Sequence, residues 1–195
     1  GETDTAAMAH VTAEAIGGLE SSVLVMSTGI IGEFLPMETI ENGIRTVADQ
    51  LADNEESVLR AARGFMTTDT RPKLTGVTFG KTPEGGTYQM LGMAKGAAMI
   101  GPKLATMLGL IITDAAITPD DAQRLLHQAA DLTFNCVSVD GHMSTNDTVL
   151  LLANGAAGEE PLAGKDLEAF ESALKNACDV LAHEIADDGE GATHV

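Results

Sequence analysis

Lys95 and Thr106 bracket a run of small residues, Gly96-Ala97-Ala98-Met99-Ile100-Gly101-Pro102, and Thr106 opens onto an apolar stretch, Met107 to Thr113. A threonine hydroxyl is a poor nucleophile unless a base adjoins it. If the chain is cut just before Thr106, the new α-amine lies beside its own hydroxyl and can serve as that base. An α-amine titrates near neutrality, which suits the task. The same residues also suit a plain loop that leads a β-branched residue into a strand, and composition by itself favours that simpler reading.

Other chemistries have less support. The histidines His10, His127, His142, His183 and His194 are scattered, with no pair at i, i+4 and no HExxH, so no metal site is expected. The chain has no GxGxxG or GxxxxGK[ST] for nucleotides and no GxSxG elbow for a serine hydrolase. Cys136 and Cys178 form no CxxC, and two cysteines make no disulfide framework. They fit small buried thiols in a reduced, cytoplasmic protein.

The 195 residues can bury a good-sized core, and 44% hydrophobic with 21% charged residues are globular proportions. With 3% aromatics, that core must be aliphatic. The formal net charge of −18, with 11 Lys and Arg, argues against nucleic acid and anionic lipid as partners. No signal-peptide pattern opens the sequence, and the stretch from Leu104 to Ile112 is about half a membrane span. The start at Gly1 reads as a processed or excised piece of something longer.

Thr5 to Glu20 suits a helix. Val23-Leu24-Val25-Met26 reads as a buried strand that runs into a tight turn at Ser27-Thr28-Gly29, where backbone amides would be exposed. Helices follow from Pro36 to Leu51 and from Asp53 to Arg63. Met66 to Pro72 is polar. Lys73–Phe79 and Thr87–Ala94 alternate around a turn and predict a hairpin. Met107 to Thr113 predicts a central strand buried on both faces. Thr118-Pro119-Asp120-Asp121 is a helix start, with threonine as cap, proline first and acids in the first turn. That helix runs to about Leu132. Asn135–Asp140 and Thr148–Ala153 read as strands, Asn154–Gly164 as a loop, Lys165–Ile185 as a long helix, and Ala192–Val195 as a strand beginning. The order predicts layered α and β around a buried sheet.

The loop before Thr106 resembles the self-processing region of the ornithine acetyltransferase (glutamate N-acetyltransferase) family. Four further blocks fit in order and spacing: Val25-Met26-Ser27-Thr28-Gly29-Ile30-Ile31-Gly32, Met66-Thr67-Thr68-Asp69-Thr70, Ser144-Thr145-Asn146-Asp147-Thr148 and Asp188-Gly189-Glu190-Gly191-Ala192. Together they span nearly the whole chain. The sequence departs from the family pattern at Ala98, Lys103, Gly141-His142-Met143 and His194.

The resemblance implies an N-terminal-nucleophile-like αββα sandwich of the DmpA and ornithine acetyltransferase kind. It implies one catalytic core segment, residues 1–195, of a longer chain. Self-cleavage between Ala105 and Thr106 would make residues 1–105 the end of an α chain and residues 106–195 the start of a β chain. Two of each would form a heterotetramer. Thr106 would take the acetyl group of N-acetylornithine and pass it to glutamate in arginine biosynthesis. No metal or coenzyme is implied, although acetyl-coenzyme A could be a second acetyl donor. By the same resemblance, Thr28 and Gly29 form the oxyanion hole, while Thr67 or Thr68, Lys95 and Glu190 meet the substrate. The alternatives are a hydrolase or aminopeptidase using the same threonine device, and an inactive structural fragment.

Overall fold

Alanine-rich Glu2–Ile16 forms α1, which buries Met8, Val11 and Ala13 and ends where Gly17 turns left-handed at φ 71°. A glycine takes that conformation without the steric cost other residues bear. The computed structural model describes residues 1–102 and 106–192. These residues belong to two compact units, Gly1–Val58 and Leu59–Val195. In the first, α1 packs against α2, Met37–Ala48. The expected strand at Val23–Met26 does not form. The segment follows a short 3-10 turn at Glu20–Ser22 without joining a sheet, and Leu24 is exposed. Among the described residues it finds no neighbouring strand, and an extended apolar run without a pairing partner is not a strand. Helix α3, Glu55–Gly64, straddles the division between the units.

The second unit is built on a four-stranded sheet in the order β1-β2-β3-β4. Strands β1, Lys73–Phe79, and β2, Tyr88–Lys95, form the expected hairpin, with Lys73 opposite Ala94. Strand β3, Leu108–Thr113, runs antiparallel to β2. Strand β4, Thr148–Ala153, runs parallel to β3. A parallel pair needs a crossover, and helix α4, Pro119–Leu132, lies within it. The Thr118 hydroxyl caps α4 by accepting the Asp121 N–H at 3.1 Å. Asn135–Asp140 is not a strand: a 3-10 turn, Phe134–Cys136, leads into irregular chain. Its backbone instead serves the loop before Thr106, as the Val139 N–H donates to Ile100 O at 3.0 Å.

Helix α5, Gly164–Asp187, buries Phe170, Ala173, Leu174, Ala177, Cys178, Leu181, Ala182 and Ile185. Their spacing of three and four places them in one stripe, which lies on β1 and β2. Gly92 permits the close approach, because a Cβ there would sit 2.9 Å from a Leu181 methyl. Of the two cysteines, Cys178 is buried and burial pushes its thiol up to about 12, whereas Cys136 is exposed.

The opposite face of the sheet is apolar but open. Leu91, Leu110 and Leu150 are half-buried, while Ile112 is 37% and Leu152 44% exposed. Thus β3 is covered on its Gly109–Ile111–Thr113 side and open on the other. The described residues supply an α layer and a β layer of an α/β layered fold, and contain no second sheet. No helix among them is long and apolar enough to cross a membrane.

Candidate active site

Strand β2 ends at Lys95, and the chain then turns through Gly96 at φ 150°. A Cβ on Gly96 would meet the Thr106 carbonyl at 3.2 Å, so this glycine lets the loop lie against the candidate nucleophile. The loop is fixed from outside by Asp140. Its carboxylate accepts the N–H groups of Met99 at 2.8 Å, Ile100 at 3.0 Å and His142 at 3.0 Å. These bonds, that from His142 first, hold the Asp140 carboxyl below its ordinary range. Met99 sits at φ 57°, an uncommon state for a residue with a side chain. Its carbonyl accepts the Thr106 N–H at 3.0 Å.

Thr106 is thus held by its backbone on both sides. The next N–H, that of Met107, donates to Asp147 Oδ1 at 3.2 Å. Among the described residues, the buried Thr106 hydroxyl oxygen has no hydrogen-bond partner, and neither has Asp147 Oδ2. Burial raises the Asp147 carboxyl, against the opposing pull of the Met107 N–H, the Lys95 ammonium and the Ser144 hydroxyl. Two uncommitted polar atoms in so small a region are the kind of feature that native interiors avoid unless they serve a purpose.

Lys95 is 1% exposed. Burial lowers its pKa, while the charges of Asp69 and Asp147 resist the shift. Its ammonium donates to the Thr67 hydroxyl at 3.4 Å. Between the two threonines proposed as alternatives, Thr67 is therefore the one that adjoins Lys95. Both are exposed. Glu190 follows α5, with its side chain exposed, and its N–H donates to Ala97 O at 2.8 Å. The structure thus gathers Thr67, Lys95, Thr106 and Glu190 around one loop.

Thr28 and Gly29 lie in the first unit, in irregular chain, and among the described residues neither N–H has a hydrogen-bond partner. Ala105 and Lys103 fall outside the described residues, as do His194 and most of the strand expected at Ala192–Val195.

Sequence reasoning passed over a buried ionic cluster. Lys73 Nζ donates to Asp69 Oδ1 and to Asp188 Oδ2, each at 2.6 Å. Burial pushes the Asp69 carboxyl up, but hydrogen bonds from the Gly96 N–H, Lys73 and the Thr67 N–H outweigh it and hold the group low. Asp188 behaves alike, with Lys73 and Thr70 overcoming burial. The signal was present in part. Asp69, Asp147 and Asp188 each sit inside one of the family-like blocks, and Lys73 shares the strand phase of the inward-facing Phe79. Among the described residues no group of three or more His, Cys, Asp or Glu could hold a metal ion.

The whole chain, residues 1–195, matches the ArgJ family. It is 45% identical over 197 residues to the mitochondrial arginine biosynthesis bifunctional protein ArgJ of Neosartorya fischeri, an alignment covering 99% of this chain and 43% of that protein. It is 46% identical over 193 residues to the arginine biosynthesis bifunctional protein ArgJ of Chlorobium chlorochromatii, covering 99% and 44%. A crystal structure of the Bacillus halodurans protein of that name is similar over 41% of this chain and 38% of its own, at 45% identity and a TM-score of 0.39. The chain spans about two fifths of the length of the curated relatives it matches. Matched over its full length, the chain belongs to the ArgJ family.

Proposed function

We propose that the protein containing this chain is an ornithine acetyltransferase of arginine biosynthesis, with Thr106 as a self-released nucleophile. The observation that carries this is the Thr106 hydroxyl, buried and without a hydrogen-bond partner among the described residues, while its backbone is pinned on both sides. A hydroxyl already engaged would have to break a bond before reacting. Similarity to bifunctional arginine-biosynthesis proteins supports the reading.

After cleavage, the Thr106 α-amine takes the hydroxyl proton as Oγ1 attacks the acetyl carbonyl of N-acetylornithine. The Oγ1–acyl bond forms, the amide C–N bond breaks, and ornithine leaves with the proton on its amine. The glutamate α-amine then attacks the acyl-threonine, giving N-acetylglutamate and restoring the hydroxyl. The N–H groups of Thr28 and Gly29 would stabilise the oxyanion in both halves. Lys95 and Thr67 would hold the donor, and Glu190 would meet its amino end. The route uses no metal or coenzyme, and acetyl-coenzyme A would serve as an alternative acetyl donor. The active form would be a cytoplasmic heterotetramer of two α and two β chains, with Ala105 ending one and Thr106 starting the other.

Mass spectrometry of the full-length protein tests this. Two fragments divided between Ala105 and Thr106 are expected, with an acetyl adduct on Thr106 after N-acetylornithine and its loss on adding glutamate. The Thr106→Ala variant stays whole. An uncut, unacetylated parent protein would sink the proposal. An adduct that water discharges as fast without glutamate would make it a hydrolase.

A further inference from the structure

Lys73 points its ammonium inward from the first position of β1 and is 1% exposed. Burying a charge is costly unless it is paired and hydrogen-bonded. Here both partners are present, and each also grips a different piece of backbone. Asp69 accepts the Thr67 N–H at 3.1 Å and the Gly96 N–H at 2.7 Å. Asp188 accepts the Thr70 N–H at 3.0 Å and also the Thr70 hydroxyl. Asp188 stands two residues before Glu190, whose own N–H reaches Ala97 O. Three segments far apart in sequence, 66–70, 95–97 and 188–190, are thus bonded to one another, and the Lys73 ammonium ties Asp69 to Asp188 at their junction, with Arg71 Nη1 3.6 Å from Asp188 Oδ1 beside it.

We propose that Lys73 is a positioning residue: clasping Asp69 and Asp188, it sets the spacing of Thr67, Lys95 and Glu190, the side chains assigned to the acyl donor. This rests on the functional reading above. Thr106 depends on other bonds, namely those from Met99 O, from Asp140 to Met99 and Ile100, and from Asp147 to Met107. The clasp therefore governs donor binding more than the nucleophile. Apolar side chains of the same volume would fill the space as well, but without direction. A triad of fixed charges fixes both the distance and the angle between the segments.

The test compares Lys73→Met and Asp188→Asn with the parent in the full-length enzyme, using N-acetylornithine and glutamate. Contacts made equally to bound donor and transition state raise KM alone when they are lost, so the loss of one or two hydrogen bonds to the donor should raise KM for N-acetylornithine about ten- to a hundredfold. Self-cleavage before Thr106 should continue and kcat should change little. Phe170→Leu, which thins the core remote from these segments, is the control: it lowers thermal stability without moving KM. If Lys73→Met does not fold, Asp188→Asn decides, since it keeps the shape and removes the charge. An unchanged KM in a folded Asp188→Asn enzyme overturns the proposal. So does a loss of kcat, KM and cleavage together that merely tracks lost stability, as an equally destabilised core variant would show. A parent enzyme that fails to turn over removes the functional reading and this proposal with it, an outcome distinguishable from a parent that works beside variants with normal KM.

Discussion

Met99 adopts a left-handed backbone, the one non-glycine case among the described residues. Such a state costs roughly 1–3 kcal/mol and persists only where neighbours over-determine it. Asp140 fixes the Met99 N–H, and the Thr106 N–H fixes its carbonyl. Local strain is thus held next to the bond expected to break. Asp147 does the matching work on the other side, through the buried Met107 N–H. Asp147→Ala leaves that donor without a partner, which costs about 1–3 kcal/mol. Self-cleavage should slow along with the fall in stability. A time course of the uncut fraction, run beside a thermal melt, checks both. Cleavage at the parent rate would show that Asp147 does not place Thr106.

Helix α4 owes its start to one side chain. The Thr118 hydroxyl accepts the Asp121 N–H, and Pro119 occupies a first-turn position where its missing donor is harmless. Thr118→Ala should cost about 1 kcal/mol and lower the melting temperature by a few degrees, measurable by calorimetry, with Thr118→Ser restoring most of the loss. This element was legible in the sequence because its signals are local: cap, proline, acids and apolar period. The hairpin of β1 and β2 was legible for the same reason. Val23–Met26 and Asn135–Asp140 differ from the expected strands because a partly β-branched stretch states a preference, whereas a strand requires a partner. Neither segment has one among the described residues. Asn135–Asp140 was given over to bonding the loop at Ile100, a tertiary demand that no local pattern announces.

At the scale of the molecule, the ionic cluster couples the second unit to pH. Asp69 and Asp188 have folded pKa values below their ordinary range. A carboxyl depressed by folding adds stability that is complete above the unfolded value, near pH 4, and is lost as pH falls through the folded one. Asp147 is shifted the other way by burial, so its contribution is complete below its unfolded value and fades as pH rises through the folded one. With Asp121 and Asp140 also lowered, four depressed carboxyls against the one raised at Asp147 predict net acid lability below about pH 4. Denaturant melts from neutral to acid pH should show it, and Asp188→Asn should flatten the slope. At neutral pH, Lys73→Met, which takes the shared ammonium from two buried carboxylates, should cost about 3–5 kcal/mol. An unchanged acid slope in Asp188→Asn would mean that the cluster does not set the acid limit.

By itself the sequence determined the elements with short-range signatures: α1, the β1–β2 hairpin, the capped α4 and the long helix α5. It also determined the resemblance, because Thr106, Lys95, Thr67 and Glu190 stand in blocks whose order can be read directly. Only the tertiary structure decided that Lys95 is buried beside Thr67 rather than Thr68, and that the Thr106 hydroxyl has no partner among the described residues. It alone showed one ammonium clasping carboxylates 4 and 115 residues away. The physical reason is range. Caps, turns and periodicity act within a few residues and leave their mark on composition. A buried charge network is chosen by whichever groups the fold brings together, and an aspartate in a polar block looks the same whether it faces water or a lysine.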